Sequence, residues 1–297
     1  MGPRARPPTS VPLYGLAYGL YYNKKMFADA GLEPPASWEE LIAAGKKLTA
    51  GGVHGLVLTA GAYTTNSHFA FIDAAQNGAD LFDKSGRPTF ADDAVVDGVL
   101  RYLDLMQSAR IVDPADAQKA NTAESVSVFA RGEAAMMIMQ NNASSTVLAN
   151  GVAADAFGVV PFPAPAGAKP IASHVAGINV SVFKNTKHKD AALKLVDYLT
   201  SEKVQARLGA EYSTLPVLTG MEPAFKGDPA QAAVFQRVYE TMAKPLPLVP
   251  AEDQYEATVG KAMNDLFARI ATGSTVRRDD VKKALQTAQD DVAASLG

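Results

Sequence analysis

Cysteine is absent from the chain, and with it go thiol nucleophiles, thiolate metal sites, disulfides and thiol redox chemistry. The compartment stays open on this ground, because exported proteins can also lack cysteine. A charge excess is missing as well. The 28 basic and 31 acidic residues leave a net charge of −3 spread along the chain, which offers no field to draw in nucleic acid or an anionic membrane. No apolar run approaches the roughly 20 residues needed to span a bilayer. The segment Met1-Gly-Pro-Arg-Ala-Arg-Pro-Pro-Thr-Ser10 has two arginines with no apolar run behind them, so it is expected to be a disordered arm without an export signal. Catalytic signatures are equally scarce. There is no HExxH, GxSxG, P-loop or GxGxxG, and the four histidines (His54, His68, His174, His188) form no close pair at metal-ligand spacing, so neither metal nor cofactor is expected.

What is present is α/β patterning. At 297 residues and 47% apolar content, the chain can build one large or two ordinary domains with real cores. Val11 to Tyr22 (VPLYGLAYGLYY) is aromatic-rich and reads as one strand bent at Gly15 and Gly19. A short helix over Asn23 to Ala30 ends at Gly31, and Ser37-Trp-Glu-Glu40 is a capping box that opens a helix carrying Leu41, Ala44 and Leu48. Gly55 to Thr59 is a short apolar strand, followed by the loop Ala60 to Asn66 and a helix with Phe69, Ile72 and Gln76. Further helices are expected over Asp92 to Ala109, Asn121 to Ala130 and Asn141 to Asn150. Between the last two lies Ala134 to Met139, a strand buried on both faces. Three helices close the chain, over 229–243, 254–271 and 275–295.

Residues 157–199 carry the organisation. A strand from Phe157 runs into a connector with Pro161, Pro163, Pro165 and Pro170, and Ile178-Asn-Val-Ser-Val then leads to a helix ending Leu195-Val-Asp-Tyr-Leu199. The chain thus leaves one unit and enters another. Together with Tyr21-Tyr-Asn-Lys24, the Phe129-Ala-Arg-Gly-Glu-Ala-Ala-Met136 join, Ala176-Gly-Ile-Asn179 and Leu215-Pro-Val217, this order resembles the solute-binding proteins of ABC transporters, in their carbohydrate-binding, maltose-binding-protein-like branch.

The resemblance implies a periplasmic-binding-protein-like fold of two α/β lobes that close on a solute. It also implies that the N-terminal lobe is incomplete here. On that basis 1–12 form an arm and the first crossing, 13–160 with 218–297 a C-terminal lobe, and 168–215 a partial N-terminal lobe, with crossings near 161–167 and 212–217. A second chain covering the exposed edge of that fragment is a further expectation, because unpaired strand edges are normally protected. The implied partners are a small carbohydrate and the permease subunits of an importer, and the implied location is the periplasm or cell surface.

Solute capture needs inward polar groups and aromatic faces rather than bond-making chemistry. The candidates are Tyr14 and Tyr18 on the first crossing, Tyr63 and Asn66 after a strand, Asn141 and Asn142 after the Met-rich strand, Gly177 and Asn179 at the second crossing, and Asp253 and Tyr255 near the acidic Glu252-Asp253. Each has a plainer reading. Tyrosines in an aromatic strand are commonly core, and Asn141 or Asn142 can cap the following helix. The family often places a stacking Trp near Asn142, and Asn there trades stacking for hydrogen bonding. Trp38, the sole tryptophan, is read as packing.

Two other functions compete with solute capture. A carbohydrate-active enzyme would need carboxylates on both sides of a cleft, yet Asp92-Asp93, Glu39-Glu40, Asp279-Asp280 and Asp290-Asp291 fall on expected helices and only Glu252-Asp253 falls in a loop. An interaction module that has lost solute binding together with its missing lobe is the other.

Overall fold

The structure, a computed structural model, describes residues 10–296, so most of the expected N-terminal arm lies outside the described residues. The aromatic segment forms two strands, β1 (Val11–Leu16) and β2 (Tyr18–Asn23), which is a departure from the single strand expected. The break falls at Ala17, whose N–H donates to the Asn141 side chain (2.7 Å) and whose carbonyl accepts from the Asn141 backbone N–H (3.0 Å). Both groups of Ala17 are therefore used off the ladder, and the two halves enter different sheets.

Helix α1 (Lys24–Asp29) follows, with Asn23 accepting at its N-cap from Met26 N–H. Next comes α2 (Trp38–Leu48), where Ser37 caps Glu40 N–H as the capping box predicts. Trp38 is buried, edge-on to Phe162, in line with packing. Helices α3 (Tyr63–Gln76) and α4 (Asp93–Gln107) come before a 3-10 turn (Pro114–Gln118) and α5 (Thr122–Ala130). Then follow β3 (Met136–Gln140), α6 (Ala143–Ala149) and β4 (Phe157–Val160).

The order β3-β2-β4 is antiparallel, with Leu20 at the centre opposite Ile138 and Val160. Residues 54–57 extend this sheet beyond β3 through parallel bridges, and Leu56 bridges on to Val112. These bridges stand in place of the regular strand expected at Gly55 to Thr59. Leu56, Val57 and Leu58 are nonetheless buried, as a sheet interior requires.

The second part of the chain contains β5 (Ser173–His174), β6 (Ala176–Val180), α7 (Lys189–Leu199), α8 (Glu202–Tyr212) and α9 (Pro229–Arg237). A π-turn (Val238–Met242), β7 (Ala243–Lys244), α10 (Glu252–Ala271) and α11 (Arg278–Ser295) complete it. Helix α10 packs on α3 at van der Waals limits: a Cβ on Gly260 would lie 2.1 Å from the Tyr63 carbonyl oxygen, so only glycine permits this approach.

Two units of unequal size result. The larger holds the extended sheet with α3, α4, α10 and α11 and nearly all buried apolar side chains. The smaller consists of β1 paired antiparallel with β6, plus α7 and α8.

The proline connector does not cross between them at 161–167 as expected. Ala164 carbonyl accepts from Trp38 N–H (3.2 Å), Gln76 Nε2 donates to Ile171 carbonyl (2.8 Å) and Ala172 N–H donates to Met242 carbonyl (2.8 Å), so the connector stays on the larger unit as far as residue 172. The departure begins at Ala176, after β5 has paired with β7 and Val175 N–H has donated to the Lys244 carbonyl (3.0 Å). Similarly, β1 belongs to the crossing rather than to the larger unit. In the segment expected to be the return, Gly15 and Leu215 exchange both backbone hydrogen bonds (2.9 and 3.0 Å).

The fragment around 168–215 has little core of its own. Helix α7 buries none of its residues, and Leu195, Tyr198 and Phe183 are exposed, the last at 83%. Beyond β6, no further strand pairs among the described residues.

Candidate functional site

A cavity of about 620 Å3 lies where the crossing strands meet the larger unit. One wall is backbone and side chain of β1 and β6: Tyr14, Leu16, Gly177 and Asn179. The opposite wall is His68 of α3, Gln140 at the end of β3, and Glu252 and Glu256 of α10, with Tyr239 and the loop 246–249 at the rim. Strands β1 and β6 approach closely here. A Cβ on Gly177 would lie 2.2 Å from the Tyr14 carbonyl oxygen, so Gly177 holds the wall thin.

The floor is a chain of aromatic and polar rings. His68 and His174 lie against each other, tilted by 35° with centroids 4.0 Å apart, and Tyr18 packs on both. Tyr18 Oη lies 3.1 Å from His68 Nδ1, and His68 Nε2 lies 3.3 Å from Glu256 Oε1. Burial pushes the Tyr18 hydroxyl well above its usual range. A carboxylate only accepts, so His68 Nε2–H donates to Glu256, and in the neutral ring Nδ1 is then the acceptor for the Tyr18 hydroxyl.

His174 is held neutral, pushed down to about 2 by burial and then by neighbouring His68. Its Nδ1 is buried without a hydrogen-bond partner among the described residues. Glu252 is raised, first by burial, then by Glu256 and Asp253, with His68 acting in the opposite sense. A partly dry, acidic, hydrogen-bonding cleft with tyrosine faces can hold a hydroxyl-rich solute.

Residues 2–206 match the family described as bacterial extracellular solute-binding proteins. The chain belongs to that family. A binding protein of Brucella abortus is 25% identical over 285 residues, covering 92% of this chain and 66% of its own length. The chain thus spans just under two thirds of that curated relative. Among solved structures, an ABC substrate-binding protein of Listeria monocytogenes in complex with cycloalternan superposes with a TM-score of 0.79 at 19% identity, covering 97% of this chain and 72% of that one. An ABC transporter solute-binding protein of Agrobacterium radiobacter in complex with ribitol gives 0.78 at 21% identity, covering 97% and 71%. These likenesses establish the two-lobe periplasmic-binding-protein fold, and the cavity lies where the crossing strands meet the larger unit.

In this solute-binding family member, four of the ten expected site residues lie at or next to the cavity. Tyr14, Gly177 and Asn179 line the cleft, and Tyr18 supports it from behind through His68.

The other six do not line it. Asn66 is fully buried inside α3 rather than in a loop, donating to the Ala60 carbonyl (2.8 Å) and Asn264 Oδ1 (2.7 Å). Tyr63 starts the same helix and faces solvent. Tyr255 is core, packed on Phe82 and Phe90 with its hydroxyl donating to the Ser67 carbonyl. Asn141 is buried at the crossing, and Asn142 is exposed at the start of α6 without capping it. Asp253 is exposed and accepts from Gln254 N–H, while Glu252 beside it faces the cleft. Glu252 is the first residue of α10, not part of a loop.

Sequence reasoning missed His68, His174, Gln140, Tyr239, Glu252 and Glu256. The two histidines lie far apart in sequence, and only the folded chain brings them together. Glu252 and Glu256 carried a readable signal, being one helical turn apart. Because they share a helix, they cannot flank a substrate from two sides as a glycosidase pair must.

Proposed function

We propose that this protein captures a sugar or polyol for an ABC importer, without transforming it, in an extracytoplasmic compartment. The observation that carries this reading is the cleft itself. Tyr14 supplies a face for the C–H side of a sugar ring, and Glu256, His68, Gln140 and Asn179 supply acceptors and donors for its hydroxyls. Its volume of about 620 Å3 is within the range of small-molecule sites, roughly 300 to 1,000 Å3. Bound solute would favour the closed arrangement of the lobes, which permease subunits recognise.

Titration calorimetry and saturation-transfer NMR with maltose, cycloalternan and ribitol test it. At least one of these solutes should bind to the cleft. Tyr14→Ala should weaken it by about tenfold or more, the scale of a lost aromatic contact plus its buried area. Unchanged affinity in both Tyr14→Ala and Glu256→Gln would move the solute elsewhere and overturn the reading.

The smaller unit supports a second part of the proposal. Leu195, Tyr198 and Phe183 present an apolar face, and β6 has a free edge, which isolated proteins normally cover. The curated relative contains more chain than this one. We infer that a further α/β block, in the same polypeptide or a second one, pairs along β6 and seats on α7. A chain without that block should bind the dye ANS, and Phe183→Ser with Leu195→Ser should reduce the signal by at least half. No dye binding by the unaltered chain would refute the inference.

A further inference from the structure

Among the described residues, no lysine or arginine lines the cleft, although two carboxylates do. Glu256 is engaged with His68 on one oxygen, while the Glu252 side chain has no hydrogen-bond or ion-pair partner among the described residues. Asp253, just outside the cleft, adds to the same sign. The nearest opposing groups are His68, which at most cancels one carboxylate, and His174, which stays neutral. Lys244 sits one element away, but it is committed to Asp80 and lies over the Phe71 ring.

An anion entering this cleft would meet like charge with no basic side chain among the described lining residues to pair it. A cation would pair with Glu252, whose charged form burial disfavours, and with the neighbouring carboxylate of Glu256. His174 on the cleft floor brings no positive charge to it, and its buried Nδ1 has no hydrogen-bond partner among the described residues.

We propose that the cleft selects its solute by charge, taking hydroxyl-rich compounds that carry a protonated amine in preference to their neutral counterparts and rejecting those that carry a phosphate. The ammonium would pair with Glu252 and Glu256, with the hydroxyls turned toward Gln140 and Asn179. This rests on the solute-capture reading above and adds to it the class of solute.

The test uses matched triplets at pH 7 and low salt: glucose, glucosamine and glucose 6-phosphate, and the same three forms of galactose and mannose. On at least one skeleton the amine should bind about tenfold more tightly than the neutral sugar, the scale of a partly desolvated ion pair, and the phosphate should not bind measurably. The preference should also weaken with added salt. In Glu252→Gln, the ratio of amine to neutral affinity should fall by about fivefold or more, because one of the two charges is gone. Neutral sugars that bind while amines gain nothing overturn charge selection alone. So does a phosphate that binds as well as its neutral partner, or a preference unaltered in Glu252→Gln. If no member of any triplet binds, both charge selection and the capture of these sugars fall together.

Discussion

Arg101→Ala should destabilise the protein by ~3–5 kcal/mol, read as a fall in the denaturant midpoint, because it leaves a fully buried carboxylate without its counter-charge. Asp73 on α3 is 0% exposed, and its Oδ1 accepts from Arg101 Nε (3.0 Å) and Nη2 (2.6 Å). The same guanidinium donates to Asn77 and Gln76 and lies 5.5 Å from the Trp38 ring centroid, so one side chain joins α2, α3 and α4. Burial pushes Asp73 up to about 6, while Arg101 pulls it down. The unfolded carboxyl titrates near ~3.9, so the folded chain holds the extra proton between these values. Stability from this group is therefore greatest below the lower value and is lost as pH rises through the upper one. Without Arg101 the carboxyl rises further and is protonated at pH 5. The deficit of Arg101→Ala should accordingly be smaller at pH 5 than at pH 8. Equal deficits at the two pH values would show that lost packing on Trp38, rather than the stranded charge, sets the effect.

Local chemistry was readable in sequence wherever a residue and its partner are neighbours in the chain. The Ser37 cap, the short helix after Asn23, the buried Met-rich strand and the apolar stripe of α4 all depend on groups a few residues apart. The two-unit arrangement was legible through the connector and the ordered family segments, but the crossing itself was not. Proline marks where helices and ladders stop, yet whether the connector lies on one unit or spans two is decided by distant bonds such as that from Gln76 to Ile171. The site shows the same division. Tyr14, Gly177 and Asn179 sit on β1 and β6, segments the sequence marked as crossings, whereas the pairing of those two strands is seen only in the fold. His68 and Glu256 face the cleft only because α3 and α10 pack together at Gly260, a contact no local pattern encodes. Tyr255 and Asn66 were misplaced for a related reason: polar atoms on an aromatic or amide side chain can be satisfied inside a core when a carbonyl waits there.

Asn141 gives the second large effect, and it joins stability to function. Its Oδ1 accepts from Ala17 N–H and its Nδ2 donates to the Ser213 carbonyl, each at 2.7 Å and each buried. Ala17 is where β1 parts from β2, and Ser213 stands at φ 52° before the return crossing, so one amide pins two crossing segments to the end of β3. Asn141→Ala strands both backbone groups at ~1–3 kcal/mol apiece, a loss of ~2–6 kcal/mol altogether. Asn141→Asp keeps the acceptor but turns an oxygen toward the Ser213 carbonyl in place of the donor, so it should rescue little. The pinned strand also carries Tyr14 on the cleft wall, across from Glu256. Under conditions where both variants remain folded, Asn141→Ala should therefore weaken solute binding, whereas Arg101→Ala, which does not line the cleft, should leave affinity unchanged. Equal affinity in the two variants would mean that the crossing is held by its backbone pairing alone, with the exchange between Gly15 and Leu215 sufficient to seat β1.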